Sequence, residues 1–161
     1  MANCKILLTA FCGTSAERFL NQSHDFQTLF LPNNKVKDSE IVIETIANEY
    51  YNYVFCFGQK PLIRDKVYIE TTAKECQISI DTLFDCNELK CYFAENGINA
   101  KISHNAGTSY CNKLYFNCLR YVEQNKLKTR IVFIHIPFYD NITNVDLFFK
   151  MIKNTIEMYS I

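Results

Sequence analysis

Apolar residues in this chain fall into short continuous runs, and stretches of helical spacing lie between them. Cys4 to Thr9 (CKILLT) is an apolar run of strand length, the pattern of a strand covered on both faces. Phe11-Cys12-Gly13 turns, and Thr14 or Ser15 can cap a short helix through Leu20. Phe26 to Leu31 reads as a second strand and stops at Pro32-Asn33-Asn34. Asp38 or Ser39 can cap a helix to about Tyr50, with Ile43, Ile46 and Tyr50 along one stripe. Tyr53 to Phe57 is a third strand, ended by Gly58.

Beyond it, Gln59 to Lys66 reads as a loop and Val67 to Thr72 as an extended segment, while Lys74 to Asp85 reads as an irregular strand and turn. Asn87 to Asn96 is a helix closed by Gly97 in the usual C-terminal glycine position. Asn99 to Ile102 is a strand, followed by a helix carrying Cys111 and reaching about Gln124. Arg130 to Ile136 is a buried strand ended by Pro137. A closing helix from about Asn144 carries Val145, Phe148, Phe149, Ile152 and Ile156. Strands alternating with helices imply βαβ crossovers. The expected fold is α/β: a three-layer α/β/α sandwich whose largely parallel sheet has helices on both faces, with residues 1–161 as a single domain. Sites in such sheets lie beyond the carboxyl ends of strands, which is where this reading puts Phe11, Gln59, the Cys111 turn and His135.

Composition narrows the function classes. The 161 residues are 48% hydrophobic and 21% charged, as in globular chains. Lysine plus arginine equals aspartate plus glutamate at 17 each, so no electrostatic case for nucleic acid or anionic lipid arises. No apolar run approaches the roughly 18 residues that span a bilayer. The start, Met1 to Leu8, turns polar too quickly for a secretion signal, so a cytoplasmic location is expected. Eight cysteines invite a disulfide reading. Against it stand the chain's size, the lack of a signal, and the placing of Cys4, Cys56 and Cys118 inside apolar runs. No Cys-x-x-Cys pair exists, so no zinc site and no other cofactor is expected.

One stretch carries chemistry. In Ser103 to Asn112 a glycine bends the chain between a strand and a helix, and Cys111 falls in the first helical turn. Unpaired N–H groups and the helix dipole favour a thiolate there, so the thiol is expected to ionise more readily than a free one. A cysteine nucleophile needs a base, and His135 stands just before a strand-ending proline. A base needs an orienting group, and Glu70 is the candidate, although strand alternation gives Tyr68, Glu70 and Thr72 a second reading as a solvated edge. His104 adjoins the cysteine loop and is not assigned a role.

Ser103-His104-Asn105-Ala106-Gly107-Thr108-Ser109-Tyr110-Cys111-Asn112 resembles the nucleophile motif of the pyroglutamyl peptidase I family, Ser-x-x-Ala-Gly-x-Tyr-x-Cys-Asn, with tyrosine shifted next to the cysteine. Phe133-Ile134-His135-Ile136-Pro137 resembles the family's Phe-Ile-His-Val-Pro segment. Gly58-Gln59 through Arg64, then Glu70-Thr71-Thr72-Ala73, is similar to its Gly-Gln-Ala-Gly-Gly-Arg…Glu-Arg-Val-Ala stretch, and Leu8-Thr9-Ala10-Phe11 to its opening Val-Thr-Gly-Phe. The resemblance implies a Cys111-His135-Glu70 triad, no metal, and release of N-terminal pyroglutamate from peptides. It also implies Phe11 enclosing the lactam ring, Gln59 and Arg64 in the substrate-binding stretch, and a cytosolic enzyme that is often a homo-oligomer. The chain departs from the family in three places. The aromatic of Glu-Pro-Phe-Gly-Gly is missing at Cys12-Gly13-Thr14, Leu62 and Ile63 replace two glycines, and a long segment between Ala73 and Asn87 is largely absent. The alternatives are an idle homologue that binds a peptide end or a partner, and a cysteine hydrolase of another small amide.

Overall fold

The computed structural model describes residues 3–161, and Met1 and Ala2 lie outside the described residues. Six strands form one sheet in the order β2-β1-β3-β8-β4-β7. They are β1 (Ile6–Phe11), β2 (Gln27–Leu31), β3 (Tyr53–Lys60), β4 (Lys66–Glu70), β7 (Asn99–Ser103) and β8 (Arg130–Pro137). A separate hairpin pairs β5 (Thr72–Glu75) with β6 (Ile78–Asp81), turning at Cys76 with φ of 53°. Five helices accompany the strands: α1 (Ser15–Leu20), α2 (Lys37–Asn48), α3 (Cys86–Glu95), α4 (Tyr110–Gln124) and α5 (Val145–Glu157).

Strand alternation sorts the core into two layers. Leu8, Phe55, Val132, Ile134 and Ile69 point to the face covered by α1, α3 and α5. Leu7, Phe11, Cys56, Ile131 and Phe133 point to the face covered by α2, α4 and the hairpin. Burying one such side chain stabilises the fold by about 1.5–3 kcal/mol, so two full layers specify which face each residue takes. The sandwich is therefore three-layered, as its sequence pattern implies.

Strand direction holds one surprise. β1, β2, β3 and β8 are parallel, whereas β4 is antiparallel to β8 and carries β7 with it. The five residues between β3 and β4 leave no room for a crossover helix, so the chain reverses and β4 runs back down the sheet. Lys74 to Asp85 also proves more regular than its sequence suggests, because the hairpin packs on α4, with Ala73 fully buried. The reading of Glu70 as a solvated edge does not hold: β4 is interior, and Glu70 is 0% exposed.

Candidate functional site

The same alternation that fills the core aims the polar groups. Phe133 and Ile131 face α4, so His135, two positions further, takes that face as well. Ile69 and Val67 face away, which turns Glu70 towards α4. His135 lies opposite Gly58 on one side and Tyr68 on the other, and Glu70 sits level with Phe133. His135 Nδ1 and Glu70 Oε1 are 2.8 Å apart, with His135 only 4% exposed. An ionised carboxylate can only accept, so Nδ1 carries the proton of this hydrogen bond and Nε2 is the ring nitrogen left free to exchange one.

Gly107 bends the chain towards α4 with φ of 88°, a conformation that disfavours any side chain, and Asn105 Oδ1 accepts from its N–H at 3.0 Å. The loop delivers Cys111 as the second residue of α4, over the sheet. Cys111 and His135 line one cleft of about 540 Å³, together with Phe11, Gln59, Lys60 and Tyr110.

Gly58 is the floor under the thiol. A Cβ there would lie 2.7 Å from Cys111 Sγ and 2.9 Å from Phe133 Cζ. Gly58→Ala is therefore expected to displace both, lowering stability by about 1–3 kcal/mol and any thiol-dependent turnover by about 10²-fold. Unchanged melting and turnover in that variant would contradict this packing.

Electrostatics revise the expectation for Cys111. Burial pushes its thiol up to about 12, with Glu70 and Cys56 adding to the rise, while its own backbone N–H and Lys60 pull the other way. Desolvation outweighs the helix start, so the resting group is a neutral thiol and not the ready thiolate that the sequence suggests. Burial raises the Glu70 carboxyl too, but the His135 hydrogen bond, the nearby Ser103 hydroxyl and the Lys60 ammonium outweigh it and hold it below the usual carboxylate range. Glu70 is thus an anion at neutral pH. A thiol, an imidazole and a buried carboxylate in one cleft are the parts that can move one proton from sulfur to nitrogen as sulfur attacks a carbonyl.

The remaining sequence candidates divide. Phe11 is buried in the cleft wall, its ring 6.5 Å from that of Tyr110 and 6.4 Å from that of Phe133. Gln59 lines the cleft, but its side chain points to the other face, where Oε1 accepts from Ser15 N–H at 3.0 Å. Arg64 is exposed and outside the residues that form the cleft. It lies in the turn after Leu62, which is 97% exposed with φ of 65° where the family motif has glycine. His104 lies apart, its Nδ1 2.6 Å from Thr71 Oγ1. All eight cysteines are free thiols.

Two cleft residues escape a reading by motif. Tyr110, 40% exposed, stands across from Phe11 and supplies a second aromatic wall despite the lost Glu-Pro-Phe-Gly-Gly motif. Its shift to the position before the cysteine was the available signal. Lys60 places Nζ 3.6 Å from Glu70 Oε1 and 4.8 Å from the Tyr68 ring centre. Strand parity from Gly58 would have turned it towards α4, had β3 been read beyond Phe57.

Comparison with known proteins meets this geometry. The family model for pyroglutamyl peptidase matches residues 84–148, the stretch that holds both Cys111 and His135. Over that stretch the chain is similar to the pyroglutamyl peptidase family. Pyrrolidone-carboxylate peptidase 2 of Caldanaerobacter subterraneus subsp. tengcongensis is 38% identical over 74 residues, covering 38% of this chain and 36% of the relative. The pyrrolidone-carboxylate peptidase of Oceanobacillus iheyensis is 50% identical over 42 residues, 26% of this chain and 21% of that one. The chain thus spans about a third or less of the length of the curated relatives it matches. In fold the likeness extends much further. The crystal structure of Bacillus amyloliquefaciens pyroglutamyl peptidase I superposes with a TM-score of 0.82 at 19% identity, over 94% of each chain. Pyrrolidone carboxyl peptidase from Thermococcus litoralis gives 0.80 at 17% identity, over 98% of this chain and 93% of that one.

Proposed function

We propose that the protein is a cysteine exopeptidase that removes pyroglutamate from the amino end of peptides, with Cys111 as nucleophile, His135 as base and Glu70 as its orienting anion. The observation that carries this reading is the buried 2.8 Å pair of His135 Nδ1 and Glu70 Oε1 beside a cleft that Cys111 shares. The lactam ring lies between Phe11 and Tyr110. Cys111 Sγ attacks the pyroglutamyl carbonyl carbon while its proton passes to His135 Nε2. Unpaired N–H groups in the first turn of α4 stabilise the developing oxyanion, at about 3–4 kcal/mol for one well-placed donor. The imidazolium then returns its proton to the leaving amine, the C–N bond breaks, and water hydrolyses the thioester through the same base. Glu70, already an anion, balances the imidazolium charge throughout. Phe11, Tyr110 and the backbone of Gln59 form the substrate-binding set, and Arg64 is left out of it.

A panel of fluorogenic amides tests this. The pyroglutamyl amide is expected to exceed the prolyl amide at least tenfold in kcat/KM, because an apolar pocket rejects the charged prolyl amine. A raised KM is expected as well, since the short segment after Ala73 leaves the cleft less enclosed. Equal rates for the two, or no turnover of millimolar pyroglutamyl amide by folded protein, would favour an idle homologue.

A further inference from the structure

A second cleft, of about 390 Å³, adjoins the first, and Gly107 and Ser109 stand in the walls of both. Its chemistry is different. Lys35, Lys74 and Lys113 line it, and Glu75 is its one acidic side chain. Glu75 is engaged in an ion pair with Lys113. Among the described residues Lys35 and Lys74 form no ion pair, and both side chains are exposed. Lys35 reaches back to the first cleft, its Nζ 5.8 Å from the centre of the Tyr110 ring. This cleft is fixed relative to the nucleophile. Asn112, the residue after Cys111, accepts from Lys74 N–H at 2.9 Å and donates to Lys74 O at 2.7 Å. That two-bond clamp ties the β5–β6 hairpin to the helix start, so Lys74 cannot drift from the Cys111 turn.

We propose that this lysine cleft receives the leaving-group side of the substrate, and that the enzyme prefers pyroglutamyl peptides with acidic residues directly after the pyroglutamate. The inference rests on the pyroglutamyl-peptidase reading of Cys111. A peptide whose lactam sits between Phe11 and Tyr110 and whose scissile carbonyl meets Cys111 must leave the first cleft. The shared Gly107–Ser109 wall opens a path along the hairpin. Two unpaired cations on that path favour carboxylates and disfavour lysine or arginine side chains.

The test compares kcat/KM for pyroglutamyl-Glu-Glu, pyroglutamyl-Gln-Gln and pyroglutamyl-Lys-Lys peptides of equal length. Two screened ion pairs give an expected advantage of about tenfold for the Glu-Glu peptide over its Gln-Gln isostere, shrinking as salt is raised. In the doubly reversed variant Lys35→Glu/Lys74→Glu the order is expected to invert towards Lys-Lys. Ratios are taken within one protein, so a general loss of activity does not disturb them. Equal kcat/KM for the three peptides in the unmodified enzyme, or an order unchanged by charge reversal, overturns the proposal. Calorimetric binding of the same peptides to the Cys111→Ala variant keeps the two readings apart. Binding that favours Glu-Glu without any turnover by the parent protein sinks the peptidase reading and keeps the cleft. Turnover without charge preference does the reverse.

Discussion

His135→Ala is expected to lower kcat for a pyroglutamyl amide by roughly 10⁴–10⁶-fold, the largest loss of any substitution apart from Cys111→Ala. The reason lies in the thiol. Burial holds Cys111 near 12, so at neutral pH almost no thiolate exists until a base takes its proton. Removing the imidazole removes the only group in the cleft suited to that task, since Lys60 is a cation and Glu70 is buried behind His135. Losing His135 and losing Cys111 should therefore cost about the same, and the double variant little more. Alkylation provides a second readout. Iodoacetamide should modify Cys111 at pH 7 at least tenfold more slowly in His135→Ala than in the parent, whereas exposed Cys76 and Cys91 react equally in both. Activity within tenfold of the parent, in a variant with native near-ultraviolet dichroism, would remove His135 from the mechanism.

Much of this architecture was legible in the residues themselves. Continuous runs such as Cys4 to Thr9 and Arg130 to Ile136 mark strands buried on both faces, and the first and last of them fall within a residue or two of β1 and β8. Gly97 and Gly107 both take the positive φ that their places after a helix and before one imply. What escaped was non-local. The reversal of β4 follows from the five-residue link after β3, which is too short for a crossover, but that link becomes visible only once β3 is known to reach Lys60 and β8 to fill the intervening place. Glu70 looks like an edge residue for the same reason, because β7 is needed to cover it. The Cys111 thiol shows the limit most sharply. Position at a helix start is a local property and argues for a thiolate, whereas desolvation by Phe133, Gly58 and the sheet is tertiary and wins. Gln59 and Arg64 illustrate a different gap, since a motif locates residues along the chain but says nothing of which strand face Gln59 takes or that the Leu62 turn carries Arg64 away from the cleft.

Glu70→Gln is the substitution that separates an orienting anion from a merely buried carboxylate. Turnover is expected to fall by roughly 10²–10⁴-fold, less than for His135→Ala, because a base remains. An amide at this position can offer its N–H₂ to Nδ1 and select the tautomer that protonates Nε2, which turns the base the wrong way. It also leaves Lys60, whose Nζ lies 3.6 Å from Glu70 Oε1, without its carboxylate partner, so the imidazolium formed in the reaction shares its surroundings with an unbalanced cation. Combining Lys60→Gln with Glu70→Gln should therefore recover part of the loss, an outcome that a purely structural role for Glu70 does not produce. Stability supplies an independent check with a defined sign. The Glu70 carboxyl is held below its unfolded value of about 4.3, so its contribution is fully present above that pH. It is lost as pH falls through the depressed folded value, when the native state must finally take up the proton. The gap in unfolding free energy between parent and Glu70→Gln should accordingly be constant from pH 6 to 8 and narrow below about pH 4. A gap that widens in acid, or Glu70→Gln with full kcat, would show that His135 is oriented by something other than Glu70.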